Sequence, residues 1–411
     1  MVTVIKAGRL IDGTGGPPVD DVAVVVEDSI IREVRTGRAD FPAPPGAIEI
    51  DYPDGTVLPG LIDAHVHLNL PGDGTPFETS VREDDCVLAV ASAHAARTAL
   101  EAGITTVRDT GSRGTTAFGL RRAVELGAGR SPRLLLSGAP VTITGGHTWP
   151  MGGEADGVDG VRRRVRELCK LGADWIKVIG SGGGTLGTIL HRPAFTREEL
   201  AAIIDEAHRL ERRVTVHTVC ADALEDAIDC GTDQIEHALF LVDSRNQEYS
   251  PRVAEKLAVS GIPVTSTMVV GYDVMRRIDA KANPSQAERE LRDTWDQMLT
   301  DTLSQFRALR GAGVRFVSGT DAGWRFTGFD ALPDELWLMT EAGMTPIEAI
   351  HAATGAAADV LGIGGITGRI QAGLAADLIV VPGDPTVDVR ALRDVAVVVH
   401  AGEVCKGGTR S

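Results

Sequence analysis

One pattern recurs through the middle of the chain and limits the folds open to it. Between residue 57 and about residue 365, a helix-like segment is followed by a glycine and then by a short run of β-branched and other apolar residues. Glycine commonly ends a helix in a left-handed conformation, so this order predicts a helix that leads directly into a buried strand. The pattern precedes the apolar runs 104–107, 175–179, 234–237, 263–268 and 315–318.

Three further apolar runs bring the number of predicted strands to eight. They are residues 58–67, 134–136 and 214–217. Strands that alternate with helices form parallel sheets, and eight parallel strands with crossover helices close into a barrel. We therefore predict an α/β protein with a (β/α)8 TIM barrel over residues 57–365. A doubly wound open sheet has the same periodicity and stays an alternative.

Both ends of the chain carry a different pattern. Residues 1–56 contain short alternating runs separated by turn residues, and no segment there is helix-like. The runs near the other end are also strand-like but are too few for a core of their own. They are residues 368–370, 375–381 and 395–400. We therefore expect residues 1–56 to pair with residues 366–411 in one small composite β-sandwich domain that carries no catalytic group.

Charge and composition limit the partners of the chain. The formal net charge is −16, whereas nucleic acids and anionic membranes bind basic surfaces. No apolar run approaches the ~20 residues of a membrane span, and residues 1–13 alternate as a strand, unlike a signal peptide. The five cysteines form no CxxC pair and are typical of a reducing compartment. We expect a cytoplasmic protein with a small-molecule or peptide substrate and no nucleic-acid or membrane partner, and a homo-oligomer is compatible with the sequence.

The first predicted barrel strand carries an alternating set of polar residues. Asp63, His65 and His67 alternate with apolar residues, and residues two apart on a strand share a face. Both imidazoles therefore point the same way, with Asp63 behind them. Two converging imidazoles suit zinc or a similar metal. Taken alone, the pair is more typical of one exposed and one buried histidine on an ordinary strand.

Polar side chains also lie in, or at the end of, other predicted strands. In a barrel the C-terminal strand ends meet at one rim, where the functional residues lie. Lys177 interrupts an apolar strand, and three further polar residues end strands, namely His217, His237 and Asp321. One such residue is easily structural, but the whole set together with His65 and His67 predicts a metal site.

Two stretches of the chain resemble signatures of the amidohydrolase superfamily, whose members are metal-dependent hydrolases built on a (β/α)8 barrel. They are PGLIDAHVH at residues 59–67 and GRIQAGLAADLIVV at residues 368–381, so the resemblance covers essentially the whole chain. It implies that Lys177 is carboxylated by CO2 and bridges two metal ions. A lysine with a buried stem whose amine reaches the rim is the alternative.

The resemblance also implies the metal ligands and the chemistry. The ligands would be His65, His67, Lys177 and Asp321 for the first ion, and Lys177, His217 and His237 for the second. Zinc suits nitrogen and oxygen ligands best, and manganese, iron or cobalt are alternatives. Two such ions could turn a water into a hydroxide and polarise a carbonyl, and Asp321 could take the water proton and pass it to the leaving nitrogen.

A second resemblance concerns one branch of the superfamily. Residues 145–147, Gly-Gly-His, follow the third barrel strand and resemble the prolidase-like and imidazolonepropionase-like branch, which contains dipeptidases and carboxypeptidases. The resemblance implies that His147 contacts the scissile carbonyl or a substrate carboxylate. The chain continues with Thr-Trp-Pro-Met where peptidases of that branch have Gly-Asp, so a preference for dipeptides stays open.

Other candidate substrate-binding residues follow predicted strands. Tyr272 offers a hydroxyl, and Arg276 offers a positive charge for a carboxylate. Trp149 and Trp324 offer apolar walls, although ordinary packing explains such residues equally well. Residues 182–187 match GxGxxG, but no helix opens there, so a loop over the metal site is favoured over a nucleotide site.

The sequence as a whole predicts a metal-dependent amidohydrolase that cleaves a peptide or amide C–N bond. The favoured substrates are a small peptide, an N-acyl amino acid, or a peptide-derived metabolite trimmed during maturation. A cyclic amide or imide, a carbamate or a urea is the alternative. A deaminase is less favoured because the mononuclear deaminases of the superfamily lack the bridging lysine, and a non-catalytic relative would usually have lost metal ligands.

Overall fold

The computed structural model describes residues 1–38 and 41–407 of the chain. The strands are β1 (Val2–Leu10), β2 (Val19–Glu27), β3 (Ile30–Thr36), β4 (Ile48–Pro59), β5 (Leu61–Val66), β6 (Ile104–Asp109), β7 (Arg133–Leu136), β8 (Trp175–Ile179), β9 (Arg213–Thr218), β10 (Gln234–His237), β11 (Val264–Ser266), β12 (Phe316–Ser318), β13 (Leu378–Val381), β14 (Val397–His400) and β15 (Glu403–Lys406). The helices are α1 (Phe77–Ser80), α2 (Asp85–Glu101), α3 (Thr116–Glu125), α4 (Gly157–Leu171), α5 (Arg197–Arg209), α6 (Ala221–Asp229), α7 (Pro251–Ser260), α8 (Val269–Asp279), α9 (Gln286–Gly311), α10 (Leu332–Glu341), α11 (Pro346–Ala352) and α12 (Gly355–Leu361), with short 3-10 helices at Trp149–Met151 and Val389–Arg393.

Eight strands of the middle region run parallel in two sheets. One sheet has the order β12-β11-β10-β9-β8, and the other has the order β5-β6-β7. The register sets the C-terminal strand ends level, since Ile179 lies opposite His217 and His217 lies opposite Glu236. Helices alternate with these strands along the chain. The structure thereby confirms the predicted α/β class with parallel strands.

Isolated parallel bridges join the edges of the two sheets. Val66 at the end of β5 pairs with Ala322, and Val141 pairs with Val178 of β8. At the first of these edges, the Asp321 amide donates a hydrogen bond of 2.8 Å to the carbonyl of His65. The bridges place the end of the first parallel strand beside the end of the last one. The closed barrel itself stays a prediction.

The helices bury one face each against the sheets. In α4 the buried side chains are Val161, Val165 and Leu168, a spacing of three to four residues that keeps them on one face. The longest helix is α9, which begins with a capping box formed by Ser285 and Glu288. Across the described residues, the helices do not combine the length and hydropathy that crossing a bilayer requires.

Strands from both ends of the chain form a single seven-stranded sheet. Its order is β15-β14-β13-β4-β1-β2-β3, and β13 joins the two ends by antiparallel pairing with β4. Its apolar side chains form a cluster of their own, which includes Ile5, Val24 and Val380. Residues 368–370, predicted as a strand, are turns instead, because Gly368 adopts a φ of 90°. The sandwich and the domain boundaries stay predictions.

The chain passes from this sheet into the parallel strands at Gly60. β4 ends at Pro59 and β5 begins at Leu61, so the stretch predicted as one strand is divided between two sheets. A Cβ atom at Gly60 would lie 2.1 Å from Oγ1 of Thr105, which leaves room for glycine alone. This close approach fixes the direction in which β5 carries its histidines.

Candidate metal centre and active site

His65 and His67 lie at the C-terminal end of β5, and both side chains are buried. Nδ1 of His65 lies 2.7 Å from Oε2 of Glu236, and Nδ1 of His67 lies 2.9 Å from the carbonyl oxygen of Gly111. A carboxylate and a carbonyl only accept hydrogen bonds, so each Nδ1 carries the hydrogen. The Nε2 atoms of both rings are therefore the atoms available to a ligand.

Asp321 follows β12 and faces both of these Nε2 atoms. Its Oδ1 lies 3.2 Å from Nε2 of His67 and 3.5 Å from Nε2 of His65, yet this buried oxygen makes no hydrogen bond. Burial raises the pKa of Asp321, but the imidazoles of His65 and His67 more than offset that effect and hold the pKa well below its usual range. The carboxyl group is therefore an anion at neutral pH.

Five imidazole rings form a continuous row along the rim. The centroid distances are 5.3 Å from His67 to His65, 5.1 Å from His65 to His237, 4.7 Å from His237 to His217, and 5.0 Å from His217 to His147. Burial lowers the pKa of His65 to about 4 and that of His237 to about 3, and it brings the pKa values of His217 and His147 well below the ordinary value. These four rings are therefore neutral, which is the form that binds metals.

The donor atoms around Asp321 fit a divalent cation. The ligand atoms of His65, His237 and Asp321 all lie within 4.8 Å of one another. Burial lowers the pKa of His67, but its contact with the Asp321 carboxylate and its other neighbours outweigh burial and raise the pKa above the ordinary value. A divalent ion placed between these groups would satisfy the orphaned carboxylate oxygen together with the bare imidazole nitrogens.

Lys177 is buried in β8 and lines the same cavity. Burial lowers its pKa to about 8, although the negative charges of Glu236 and Asp321 oppose the shift. Within residues 1–38 and 41–407, its Nζ forms neither a hydrogen bond nor an ion pair. A neutral amine is the form that reacts with CO2, so the environment of Lys177 suits the predicted carboxylation.

A buried ion pair beneath the rim was missed from the sequence. Arg108 of β6 is 0% exposed and donates hydrogen bonds of 2.6 Å to Oε1 of Glu236, 2.7 Å to Gln234 and 2.8 Å to the carbonyl of Ala64. Glu236 thus connects Arg108 to His65. The available signal was a charged residue inside each of two predicted strands, 104–107 with its extension to 109 and 234–237.

His147 and the glycine-rich loop at residues 182–187 pack against each other. A Cβ atom at Gly183 would lie 2.3 Å from the His147 ring, and one at Gly184 would lie 2.7 Å from the Trp324 ring. Nδ1 of His147 lies 2.8 Å from Oγ1 of Thr185 and accepts a second hydrogen bond from the Thr185 amide. The glycines therefore permit close packing at the rim, in agreement with the predicted loop over the site.

The rim residues line one cavity of about 480 Å³. This volume lies within the range of roughly 300–1,000 Å³ that is common for small-molecule sites. The predicted residues that it brings together are His65, His67, His147, Lys177, His217, His237, Asp321 and Trp324. Much of the remaining wall is apolar and includes Leu241, Met268, Trp295 and Met298.

Three predicted substrate-binding residues lie outside this cavity. Tyr272 packs on Trp337 with ring centroids 5.3 Å apart, and Arg276 forms an ion pair of 2.9 Å with Asp273. Trp149 is 41% exposed on its 3-10 helix. The reason for Tyr272 is helical geometry: positions 270 and 271 of α8 line the cavity, and the next side chain, Tyr272, packs on Trp337 of α10. Arg276 lies one helical turn beyond Tyr272.

Comparison with known proteins decides the family. The model of the amidohydrolase family matches residues 56–406 of the chain. The chain belongs to the amidohydrolase family. It is therefore a hydrolase of C–N bonds, as the sequence predicts.

Relatives of this amidohydrolase include enzymes named for peptides and for other amides. Ochratoxinase from Aspergillus niger is 29% identical over 446 residues, which cover 99% of this chain and 86% of that protein. The crystal structure of a Xaa-Pro dipeptidase with methionine bound in its active site gives a TM-score of 0.84 at 29% identity and covers 99% of this chain and 100% of that one. A prolidase complexed with N-methylphosphonate-L-proline gives a TM-score of 0.84 at 27% identity with the same coverage.

Proposed function

We propose that this amidohydrolase uses bound metal ions to cleave the amide bond of a small peptide, an N-acyl amino acid or a peptide-derived metabolite. The observation that carries the proposal is the buried Oδ1 of Asp321, which faces two imidazole nitrogens without a hydrogen bond at the floor of a cavity of about 480 Å³. The likeness to a dipeptidase, a prolidase and ochratoxinase supports a peptide or amide substrate.

The same donor set supports a pair of divalent ions, with zinc as the best match and manganese, iron or cobalt as alternatives. The residues for the first ion are His65, His67 and Asp321, those for the second are His217 and His237, and Lys177, carboxylated by CO2, would serve both. Bound there, such ions supply a water of lowered pKa and polarise the substrate carbonyl.

Asp321 is the residue that moves the proton in this proposal. Because Oδ1 faces the imidazoles of His65 and His67, Oδ2 is the oxygen left to accept a proton. Asp321 takes a proton from the attacking water and then delivers it to the nitrogen as the C–N bond breaks, so the nitrogen leaves as a neutral amine. The rigid bridge between the ends of β5 and β12 keeps this carboxylate beside the histidines.

His147 can hold the substrate carbonyl. Its Nδ1 accepts a hydrogen bond from the amide of Thr185, and its pKa is well below the ordinary value because the ring is buried. The neutral ring therefore carries its hydrogen on Nε2. This N–H is free to donate to the carbonyl oxygen, where negative charge develops during attack.

The proposal also includes the fold that carries the site. Bridges at both sheet edges support a closed (β/α)8 barrel over residues 57–365, flanked by the composite sandwich of residues 1–56 and 366–411.

The negative net charge and the free cysteines support a cytoplasmic setting and a small-molecule or peptide partner, not nucleic acid or membrane.

Elemental analysis and a substrate panel test the proposal together. Protein purified without chelator should hold about two divalent ions per chain and should hydrolyse members of a panel of dipeptides and N-acyl amino acids. Asp321→Asn should lower kcat by roughly 10²–10⁴-fold, the usual contribution of a general acid–base group. A metal-supplemented protein that binds no ion, or an Asp321→Asn variant with the parent rate, would contradict the proposal.

A further inference from the structure

Arg325 lies in the cavity wall. It lies four residues beyond Asp321 in the loop after β12, and its guanidinium carbon lies 5.2 Å from the centroid of the Trp295 ring. Among the residues that the structure describes, the guanidinium forms neither a hydrogen bond nor an ion pair. The residue is exposed and belongs to the cavity lining, and a guanidinium offers five N–H donors to a ligand.

The backbone fixes Arg325 relative to Asp321. Both residues adopt left-handed conformations, with φ values of 59° for Asp321 and 53° for Arg325. The loop between them is closed by a hydrogen bond of 3.0 Å from the Trp324 amide to the Asp321 carbonyl, and the Arg325 carbonyl accepts one of 2.6 Å from the Gly74 amide. Side chains other than glycine occupy this region at an energetic cost, and such strain is concentrated at functional sites.

Among the cavity-lining residues within 1–38 and 41–407, Arg325 is an arginine whose guanidinium forms no ion pair. The acidic groups close enough to influence Arg325 are Asp321 and Glu78, and neither forms an ion pair with it. Besides Arg325, the lysine or arginine on the described lining is Lys177, which lies among the proposed metal-binding residues. The wall beside Arg325 is apolar, because α9 contributes Leu291, Trp295 and Met298. An ion pair formed there is screened less than one in open solvent.

We propose that Arg325 binds a carboxylate of the substrate, while Trp295 and the neighbouring apolar wall receive a bulky apolar group. The inference rests on the proposed function and narrows its substrate class to amides with a free carboxylate and a large apolar substituent, such as N-acylated aromatic or long aliphatic amino acids. The guanidinium lies beside the Trp295 ring, and its planar fork of N–H donors suits two parallel hydrogen bonds to a carboxylate. Arg325 in the loop after β12 thereby replaces Arg276 of α8 as the residue expected to bind a carboxylate.

A matched pair of substrates and a matched pair of variants test this role. N-acetyl-L-phenylalanine and its carboxamide differ in the carboxylate alone. Arg325→Gln should lower kcat/KM for the acid about 10- to 100-fold, mainly through KM, and should leave turnover of the carboxamide unchanged, since charge-assisted hydrogen bonds are the stronger ones. The kcat/KM of Arg325→Lys for the acid should lie between those of the parent and of Arg325→Gln, because lysine keeps the charge but lacks the planar fork of donors. The control Arg276→Gln removes an arginine of α8 that lies off the cavity, and it should behave like the parent.

Binding of the free amino acid separates this inference from the proposed reaction. Calorimetry on the metal-loaded protein would compare L-phenylalanine with L-phenylalaninamide. We expect the parent to bind L-phenylalanine more tightly than L-phenylalaninamide, and we expect Arg325→Gln to bind the two with similar affinity. If the parent turns over neither acetylated substrate but keeps this preference through Arg325, the proposed reaction is wrong and the anion site stands. A parent without preference for the acid, or an Arg325→Gln variant that retains it, overturns the assignment of Arg325.

Discussion

Oε2 of Glu236 accepts a hydrogen bond of 2.7 Å from Nδ1 of His65, between strands that belong to different parallel sheets. Arg108 donates to the other carboxylate oxygen at 2.6 Å, and all three side chains are buried. The carboxylate fixes the tautomer and the direction of the imidazole, so that Nε2 faces the proposed metal site. Partners of this kind commonly raise the affinity of metal-binding histidines.

We expect Glu236→Gln to weaken metal binding about 10- to 100-fold, because His65 loses its orienting carboxylate. The variant should also lose roughly 3–5 kcal/mol of unfolding free energy, since Arg108 would keep a buried charge without its partner. Metal titration by calorimetry and denaturant unfolding measure the two effects. Glu335→Gln is the control, as Glu335 is equally buried but bonds Ser266 and the amide of Val269. Parent-like metal affinity in Glu236→Gln would refute the orienting role.

Lys177→Ala should abolish turnover if the lysine is carboxylated. A short-chain acid such as propionate supplies a carboxylate that fits the space left by the side chain, so it should restore part of the activity. Steady-state rates measured with and without propionate give the answer. Lys170→Ala changes an exposed lysine of α4 and should retain the parent rate without added acid. Full activity in Lys177→Ala alone would exclude the carboxylated lysine.

His147→Ala and Tyr272→Phe should have unequal effects. His147 offers Nε2–H to the cavity, and the loss of one such donor to a developing oxyanion lowers kcat roughly 10²–10³-fold. Tyr272 packs on Trp337 outside the cavity, so removing its hydroxyl should leave kcat/KM near the parent value. Metal content should be unchanged in both variants. A large loss in Tyr272→Phe with no loss in His147→Ala would reverse the assignment.

Glu206 of α5 offers a pH test away from the active site. Its buried carboxylate accepts hydrogen bonds from Arg166 at 2.8 Å, from Arg209, and from Arg162 at 3.1 Å. The bond from Arg166 and then that from Arg209 lower the pKa of Glu206 from 4.5 to about 2. A lowered pKa stabilises the folded chain at pH values above the unfolded pKa, and this gain is lost as the pH falls through the folded value.

Glu206→Gln should therefore lose about 1–2 kcal/mol of unfolding free energy at neutral pH, a figure that allows for solvent screening of the exposed arginines. The difference in unfolding free energy between parent and Glu206→Gln should be constant above about pH 5 and should shrink as the pH falls from 4.5 to about 2. Denaturant unfolding at several pH values measures it, with Glu211→Gln at an exposed position as the control. A difference that does not change with pH would contradict the ion-pair account.

The residues at the strand ends were accessible to sequence reasoning because parallel strands in level register end at one edge. His217, His237 and Lys177 come from three adjacent strands, and the structure places all of them on one cavity with the histidines of β5. In a closed barrel the strand order need not be known, since every C-terminal strand end faces the same rim.

The positions on α8 were beyond sequence reasoning for a geometric reason. Side chains on a helix turn by about 100° per residue, so the face that Tyr272 occupies depends on where the helix begins. α8 begins at Val269, directly after β11, and Gly271 takes the place on the cavity. The pairing of Arg108 with Glu236 was inaccessible for another reason. Their strands are not neighbours in a sheet, so no periodicity relates the two residues.

The contact between the ends of β5 and β12 has a consequence for biosynthesis. His65 lies in the first parallel strand and Asp321 follows the last one, so the ribosome has made most of the chain before the two can meet. A nascent or proteolytically shortened chain that lacks β12 keeps both histidines of β5 but has no carboxylate to place opposite them. Under the proposed ligand set, the site of the first ion would be complete only in chains translated beyond residue 321, although the residues proposed for the second ion are made earlier.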